Sequence, residues 1–220
     1  IVLMFRSWSI MKRLPHLKWK DLLSYTAALC LMNILFYASL GKLPQGIAVG
    51  LEFLGPLTLA LLSIKQRRDY IWVGLAILGI ALMVPWHQAN ATNFSFLGAA
   101  FAVSAGACWA LYIYFGQKVV RQNIDMHALS IAIVISALVL LPISATHNPT
   151  ALMQTEYWPK ALLIALLATT IPYALDLMAL KRLSKLSYGT LSSLSPALAA
   201  LAGWLLLKEQ ISMWQTLALA

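Results

Sequence analysis

Apolar runs of ~20 residues, the length a helix needs to cross a bilayer core, recur along the chain with short polar gaps between them. The first complete run covers residues 21–40. The second covers 44–64 and is closed by Lys65, Gln66, Arg67, Arg68 and Asp69. Further runs cover 70–86, 94–116, 127–146, 159–180 and 186–207. Residues 1–5 read as the tail of another run, and a last one begins at Ile211. None shows the alternating pattern of a membrane-spanning strand, so the pattern predicts helices. The expected class is an all-α, polytopic integral membrane bundle.

Within the second run, Glu52 lies near the middle, with no lysine or arginine within one helical turn. A carboxylate at membrane depth costs several kcal/mol unless it is paired, protonated or wetted by a cavity. Pro56, one turn later, removes a backbone donor and crowds the Glu52 carbonyl. A buried charge beside a helix defect is how many transporters mark a substrate path. As a purely structural group, Glu52 would be protonated and bonded to a neighbouring helix. As a functional group, it would bind a cation or carry a proton.

Composition agrees with the pattern, since 61% of residues are hydrophobic and 10% charged, against about 25% charged in soluble domains. The net charge of +9 does not indicate a nucleic-acid partner, because the basic residues occupy the gaps between apolar runs. Thirteen of the 16 lysines and arginines fall in alternate gaps: Arg6 to Lys20, Lys65 to Arg68, Lys118 with Arg121, and Lys181 to Lys185. The other side has Lys42, Lys160 and Lys208. The positive-inside rule assigns the rich side to the cytoplasm. Cys30 and Cys108 fall inside apolar runs and read as small packing residues.

An ungapped offset of 140 residues aligns the chain with itself. Lys20, Leu22 and Leu23 fall on Lys160, Leu162 and Leu163. Leu51, Leu54, Pro56 and Ala60 fall on Leu191, Leu194, Pro196 and Ala200. Arg68-Asp69 falls on Lys208-Glu209. The first complete run maps to the sixth, an odd separation, so the two copies would cross the membrane in opposite senses. That predicts an inverted repeat, with residues 1–86 in the first copy and 87–220 in the second. Two full five-helix copies make ten spans. One span would be missing at the front, with the tail at residues 1–5 and the last span cut short.

Other candidates follow from this frame. Asn33 and Tyr37 share a helical face, and the offset places Asn33 on Tyr173 and Phe36 on Asp176. Polar groups at related positions could flank one cavity or could serve only as interhelical hydrogen bonds. Asp176 could also reach towards Lys181 at the membrane edge. Trp109 and Tyr112, three apart, could line a cavity. Gly106 reads as a close-packing position, and Pro56, Pro172 and Pro196 as hinges. Ser192, Ser193 and Ser195 correspond to the Glu52 region but lack its charge. No metalloprotease helix, nucleophile elbow or phosphate loop occurs, and the four histidines are scattered. The reading is a non-enzyme with no cofactor and no metal. An intramembrane lipid-acting enzyme would need paired catalytic groups that this pattern lacks.

Residues 46–57 with Glu52, residues 106–117 (GACWALYIYFGQ) and residues 172–183 (PYALDLMALKRL) resemble the EamA type of the drug/metabolite transporter superfamily. The resemblance implies ten helices in two inverted five-helix repeats in a bacterial inner membrane. It implies efflux of amino acids or related small metabolites by alternating access, with drug or other metabolite efflux as the alternative. Glu52 would engage the substrate ammonium or exchange a proton. Asn33, Tyr37, Trp109, Tyr112, Tyr173 and Asp176 would surround the substrate.

The basic-residue bias makes a direct prediction. Single cysteines at Lys12, Arg67 and Arg121 should resist an impermeant thiol reagent added to intact cells, and one at Asn90 should react. Labelling at Arg67 without labelling at Asn90 would reverse the orientation.

Overall fold

The computed structural model describes residues 18–43, 45–64, 66–67, 69–83, 95–122, 125–147, 154–192, 194–195 and 198. The loop at 87–93, the basic residues before Lys18, Pro196 and everything from Lys208 onward lie outside these residues. Among the described residues the secondary structure is entirely helical. Helix α1 is Trp19–Leu40, α2 is Gln45–Glu52, α3 is Leu54–Leu61 and α4 is Asp69–Met83. Helix α5 is Phe96–Val120 and α6 is Asp125–His147, with Pro142 inside it. A 3-10 turn at Thr155–Tyr157 leads into α7 (Trp158–Ile164), a π-helical segment (Ala165–Thr170) and α8 (Ile171–Arg182). Helix α9 is Lys185–Ser192.

Among the described residues, three segments are long and apolar enough to cross a membrane: Trp19–Leu40, Phe96–Val120 and Thr155–Arg182. Shorter apolar helices occupy Ile47–Leu61, Asp69–Gly79 and His127–Pro142. Helices suit lipid because every backbone donor and acceptor is satisfied within the segment. Several hydroxyls follow the same rule. Thr26 donates to the Leu22 carbonyl at 2.9 Å, Ser39 to Phe36 at 2.7 Å, and Thr58 to Leu54 at 2.7 Å, so they travel through an apolar span with their hydrogens used. Two of the helix starts carry serine caps. The Ser95 hydroxyl accepts the Gly98 N–H at 3.1 Å at the head of α5. Ser184 accepts the Ser187 N–H at 3.1 Å at the head of α9.

Three expected boundaries shift for identifiable reasons. The run at 44–64 is two helices, broken at Phe53, because Pro56 cannot donate to the carbonyl one turn earlier. The run expected to stop at Gly116 continues to Val120. Lys118 stays helical because its ammonium lies 4.4 Å from the centroid of the Tyr114 ring and 3.9 Å from an Asp21 carboxylate oxygen. The run at 159–180 contains the π-helical segment just before Pro172. There the Ile171 N–H bonds Leu166, five residues back, so the helix widens where proline's missing N–H interrupts the ladder.

The chain forms two compact units, each drawn from two stretches of sequence. Unit 1 comprises Ile1–Cys30 and Tyr114–Arg182. Its buried residues include Leu22, Tyr25 and Leu29 of α1, Val119 of α5, Ala128 and Ala132 of α6, and Leu177 and Leu180 of α8. A Cβ placed on Gly116 would lie 2.8 Å from Leu180 Cδ1 and 3.6 Å from Tyr25 Cε2. The start of α1, the end of α5 and the end of α8 therefore meet there. The Lys18 N–H donates to Gln122 Oε1 at 3.1 Å.

Unit 2 comprises Leu31–Ile113 and Leu183–Ala220. Leu43, Ile47, Ala48, Phe53, Leu57 and Ala76 form its core cluster, with Phe36, Leu40, Ala99 and Trp109 packed against it. Helix α9 packs on α3 and α4. A Cβ on Gly189 would lie 2.8 Å from the Pro56 carbonyl oxygen and 3.0 Å from Ala60 Cβ.

These two glycines should respond differently to substitution. Alanine gains about 1 kcal/mol over glycine in a helix, and overpacking costs about 1–3 kcal/mol. Gly116→Ala meets only the tip of a leucine that can turn, so its unfolding midpoint in detergent should stay near that of the parent. Gly189→Ala meets a backbone carbonyl and should be destabilised by about 1–2 kcal/mol. A reversed order would show that the α3–α9 contact is looser than described here.

Candidate functional site

The site is built on the break between α2 and α3. The ladder carries on to the Phe53 N–H, which bonds Val49 at 3.1 Å. It resumes where the Leu57 N–H bonds Phe53 at 3.2 Å. Between these two bonds, the Glu52 carbonyl faces Pro56, which has no N–H to give. Phe53 itself keeps a helical conformation, with φ −62° and ψ −17°, so the break lies in hydrogen bonding rather than in a turn of the chain.

Helix α5 closes against this break. A Cβ on Gly106 would collide with the Glu52 carbonyl oxygen and stand 3.2 Å from Glu52 Cα. A Cβ on Gly55 would collide with the Gly106 carbonyl and stand 2.8 Å from Gly106 Cα. The two backbones therefore touch directly, and each requires the other's missing side chain. One turn beyond Gly106, the Trp109 ring packs on Phe53 with centroids 4.9 Å apart and planes at 57°, a tilted geometry favoured by aromatic quadrupoles.

Glu52 is 8% exposed. No described residue makes an ion pair or hydrogen bond with its carboxylate. It is an acidic side chain near the middle of an apolar segment, at the point where the helix ladder is interrupted. Such an arrangement can hold a cationic group or a proton. Among the described residues, no group of three His, Cys, Asp or Glu side chains is placed to hold a metal ion.

The structure brings Glu52, Pro56, Gly106 and Trp109 together in unit 2. Tyr112, one turn beyond Cys108 on α5, is fully buried in the same unit. Asn33 is half-buried and engaged in an interaction. Tyr37 is 68% exposed. The reason is angular: Phe36 and Leu40 turn the α1 face that packs on the core cluster, and Tyr37 stands about 100° further round the helix. Tyr173 and Asp176 belong to unit 1, where both are half-buried and engaged in interactions. Pro172 is the second residue of α8. Phe53, Gly55 and Gly189 also shape the site. Of these, only the Gly55-Pro56 pair carries a signal in the sequence, because a glycine beside a proline marks interrupted helix.

Residues 96–220 match the EamA-like transporter family. The threonine/homoserine exporter RhtA of Escherichia coli K12 is 40% identical over an alignment of 223 residues, spanning all of this chain and 73% of the exporter. The same exporter of Salmonella typhimurium LT2 gives the same identity and coverage. An uncharacterized transporter of Synechocystis is 29% identical over 91 residues, 39% of this chain and 28% of that protein. One crystal structure superimposes with a TM-score of 0.75 over 92% of this chain and 72% of that chain at 16% identity, which is a likeness of fold alone. A chain whose described secondary structure is all helical, with membrane-length apolar segments, and which shares this identity over its whole length belongs to the EamA-like transporter family.

Proposed function

We propose that the protein exports threonine, homoserine or closely related small amino acids across a bacterial inner membrane, and that Glu52 is the charge on which export depends. Full-chain identity of 40% to the threonine/homoserine exporter of Escherichia coli supports the substrate class. The observation that carries the site is Glu52 itself, buried at a broken membrane helix with no described partner. An amino acid presents an ammonium of the right sign and reach, and a proton is the smallest alternative cargo. Asn33, Tyr37, Trp109 and Tyr112 are the further lining candidates in the same unit. Tyr173 and Asp176 are the polar candidates in unit 1.

The reading extends to two inverted five-helix copies, residues 1–86 and 87–220, that rock by alternating access. The 140-residue offset supports this, since it pairs Pro56 with Pro196 and one end-of-span charge pair with another. The family match over residues 96–220 falls within the second copy.

Glu52→Gln tests the charge while keeping size and most hydrogen bonding. Loss of one partner from a desolvated charge pair costs about 2–5 kcal/mol, so efflux of labelled threonine should fall by at least about thirtyfold, with normal amounts of protein in the membrane. Glu52→Asp keeps the charge, drawn back by one methylene, and should lose about tenfold or less. Full efflux by Glu52→Gln at normal expression would refute the assignment and shift attention to Asp176.

A further inference from the structure

We propose that the end of unit 1 where α1 begins and α5 and α8 finish is a binding surface for anionic phospholipid. The three helix ends are held together by the Gly116 contact with Leu180 and Tyr25, by the Lys18 N–H bond to Gln122, and by the Asp21–Lys118 pair. They bring Lys18, Lys20, Lys118, Arg121, Lys181 and Arg182 to one rim of the unit. The acidic residues nearby are Asp21, Asp125 at the head of α6, and Asp176 more than a turn back from Lys181. Asp21 is occupied by Lys118, whose ammonium is also held over the Tyr114 and Phe115 rings. Lys20, Arg121 and Arg182 are exposed.

What distinguishes this rim from a generic basic surface is the surface beside it. Trp19 and Leu23 on α1, and Leu175 and Met178 on α8, are exposed apolar residues within one or two turns of the charges. A nucleic acid or a soluble anion uses the charge and gains nothing from such a border. A phospholipid uses both, with its phosphate against the basic side chains, its acyl chains along the helices, and an interfacial tryptophan between. Anionic lipid attracts basic residues of this kind at the cytoplasmic leaflet, the side to which the basic-residue bias assigns this end.

The test uses the full chain in nanodiscs and measures by native mass spectrometry the preference for phosphatidylglycerol over phosphatidylcholine. Each basic residue beside an anionic bilayer contributes about fivefold. Lys20→Gln/Arg121→Gln/Arg182→Gln should therefore lower the preference about a hundredfold, and each single variant about fivefold. Lys18, Lys118 and Lys181 are retained in all variants to keep the orienting charge. Lys42→Gln/Lys160→Gln removes charge from just beyond the far end of α1 and from the far end of the Thr155–Arg182 segment and should leave the preference unchanged. An equal loss per charge in both variants would assign the effect to net charge and overturn the proposal, as would an unchanged preference in the triple variant. Displacement of phosphatidylglycerol by glycerol phosphate at matched concentration would assign the rim to soluble phosphate and overturn the lipid reading.

Discussion

The direct contact between the backbone of α5 and the broken segment α2–α3 is the constraint on which unit 2 depends. It is possible only because Gly55 and Gly106 both lack side chains. It falls where Pro56 has left the Glu52 carbonyl without its usual donor. An unsatisfied carbonyl in an apolar setting costs about 1–3 kcal/mol. A Cα–H contact to a carbonyl, worth about 0.5–1 kcal/mol, would offset only part of that cost. Packing supplies the rest. Phe53 and Leu57, on either side of the break, are both in the core cluster, and Trp109 covers Phe53. The position of the Glu52 carboxylate is thus set by backbone packing around it rather than by a network of polar side chains.

Unit 1 handles its charges in the opposite manner. Apart from Asp176 within α8, its described ionic groups lie towards helix ends, where Asp21 meets Lys118 and the Tyr114 ring shares the ammonium. Asp21 also sits in the first turn of α1, where a negative charge is favoured by the helix dipole. A half-exposed pair of this kind adds little stability. It favours the last turn of α5 only slightly and marks where that turn meets the first turn of α1.

Much of this was legible in the amino-acid pattern, for a clear reason. Bilayer thickness fixes the length of an apolar run, so α1 and α5 are located to within a few residues, and the basic gaps mark their ends. The Glu52–Pro56 defect was legible because proline acts on the backbone locally. What was not legible depends on contacts between distant segments. Nothing in the residues around Gly106 says that its partner is the carbonyl of Glu52. Nothing around Gly189 says that it meets Pro56. The division into two compact units that each draw on α1 and α5 likewise follows from packing rather than from order along the chain. Tyr37 illustrates the limit within a helix, since its spacing from Asn33 fixes the face they share but not whether that face is covered.

The π-helical segment Ala165–Thr170 has a consequence for comparing the two halves of the chain. A π turn takes up about one extra residue, so side chains beyond it are rotated by about 100° relative to those before it. Its counterpart under the 140-residue offset lies in α1, which is an uninterrupted α-helix. Leu162 and Leu163 can therefore hold the same bearing as Leu22 and Leu23, or Tyr173 the same bearing as Asn33, but not both. Under the proposed repeat, letter-by-letter correspondence would survive across this point while angular correspondence would not. Symmetry-based transfer of a lining residue from one half to the other must be corrected by that phase.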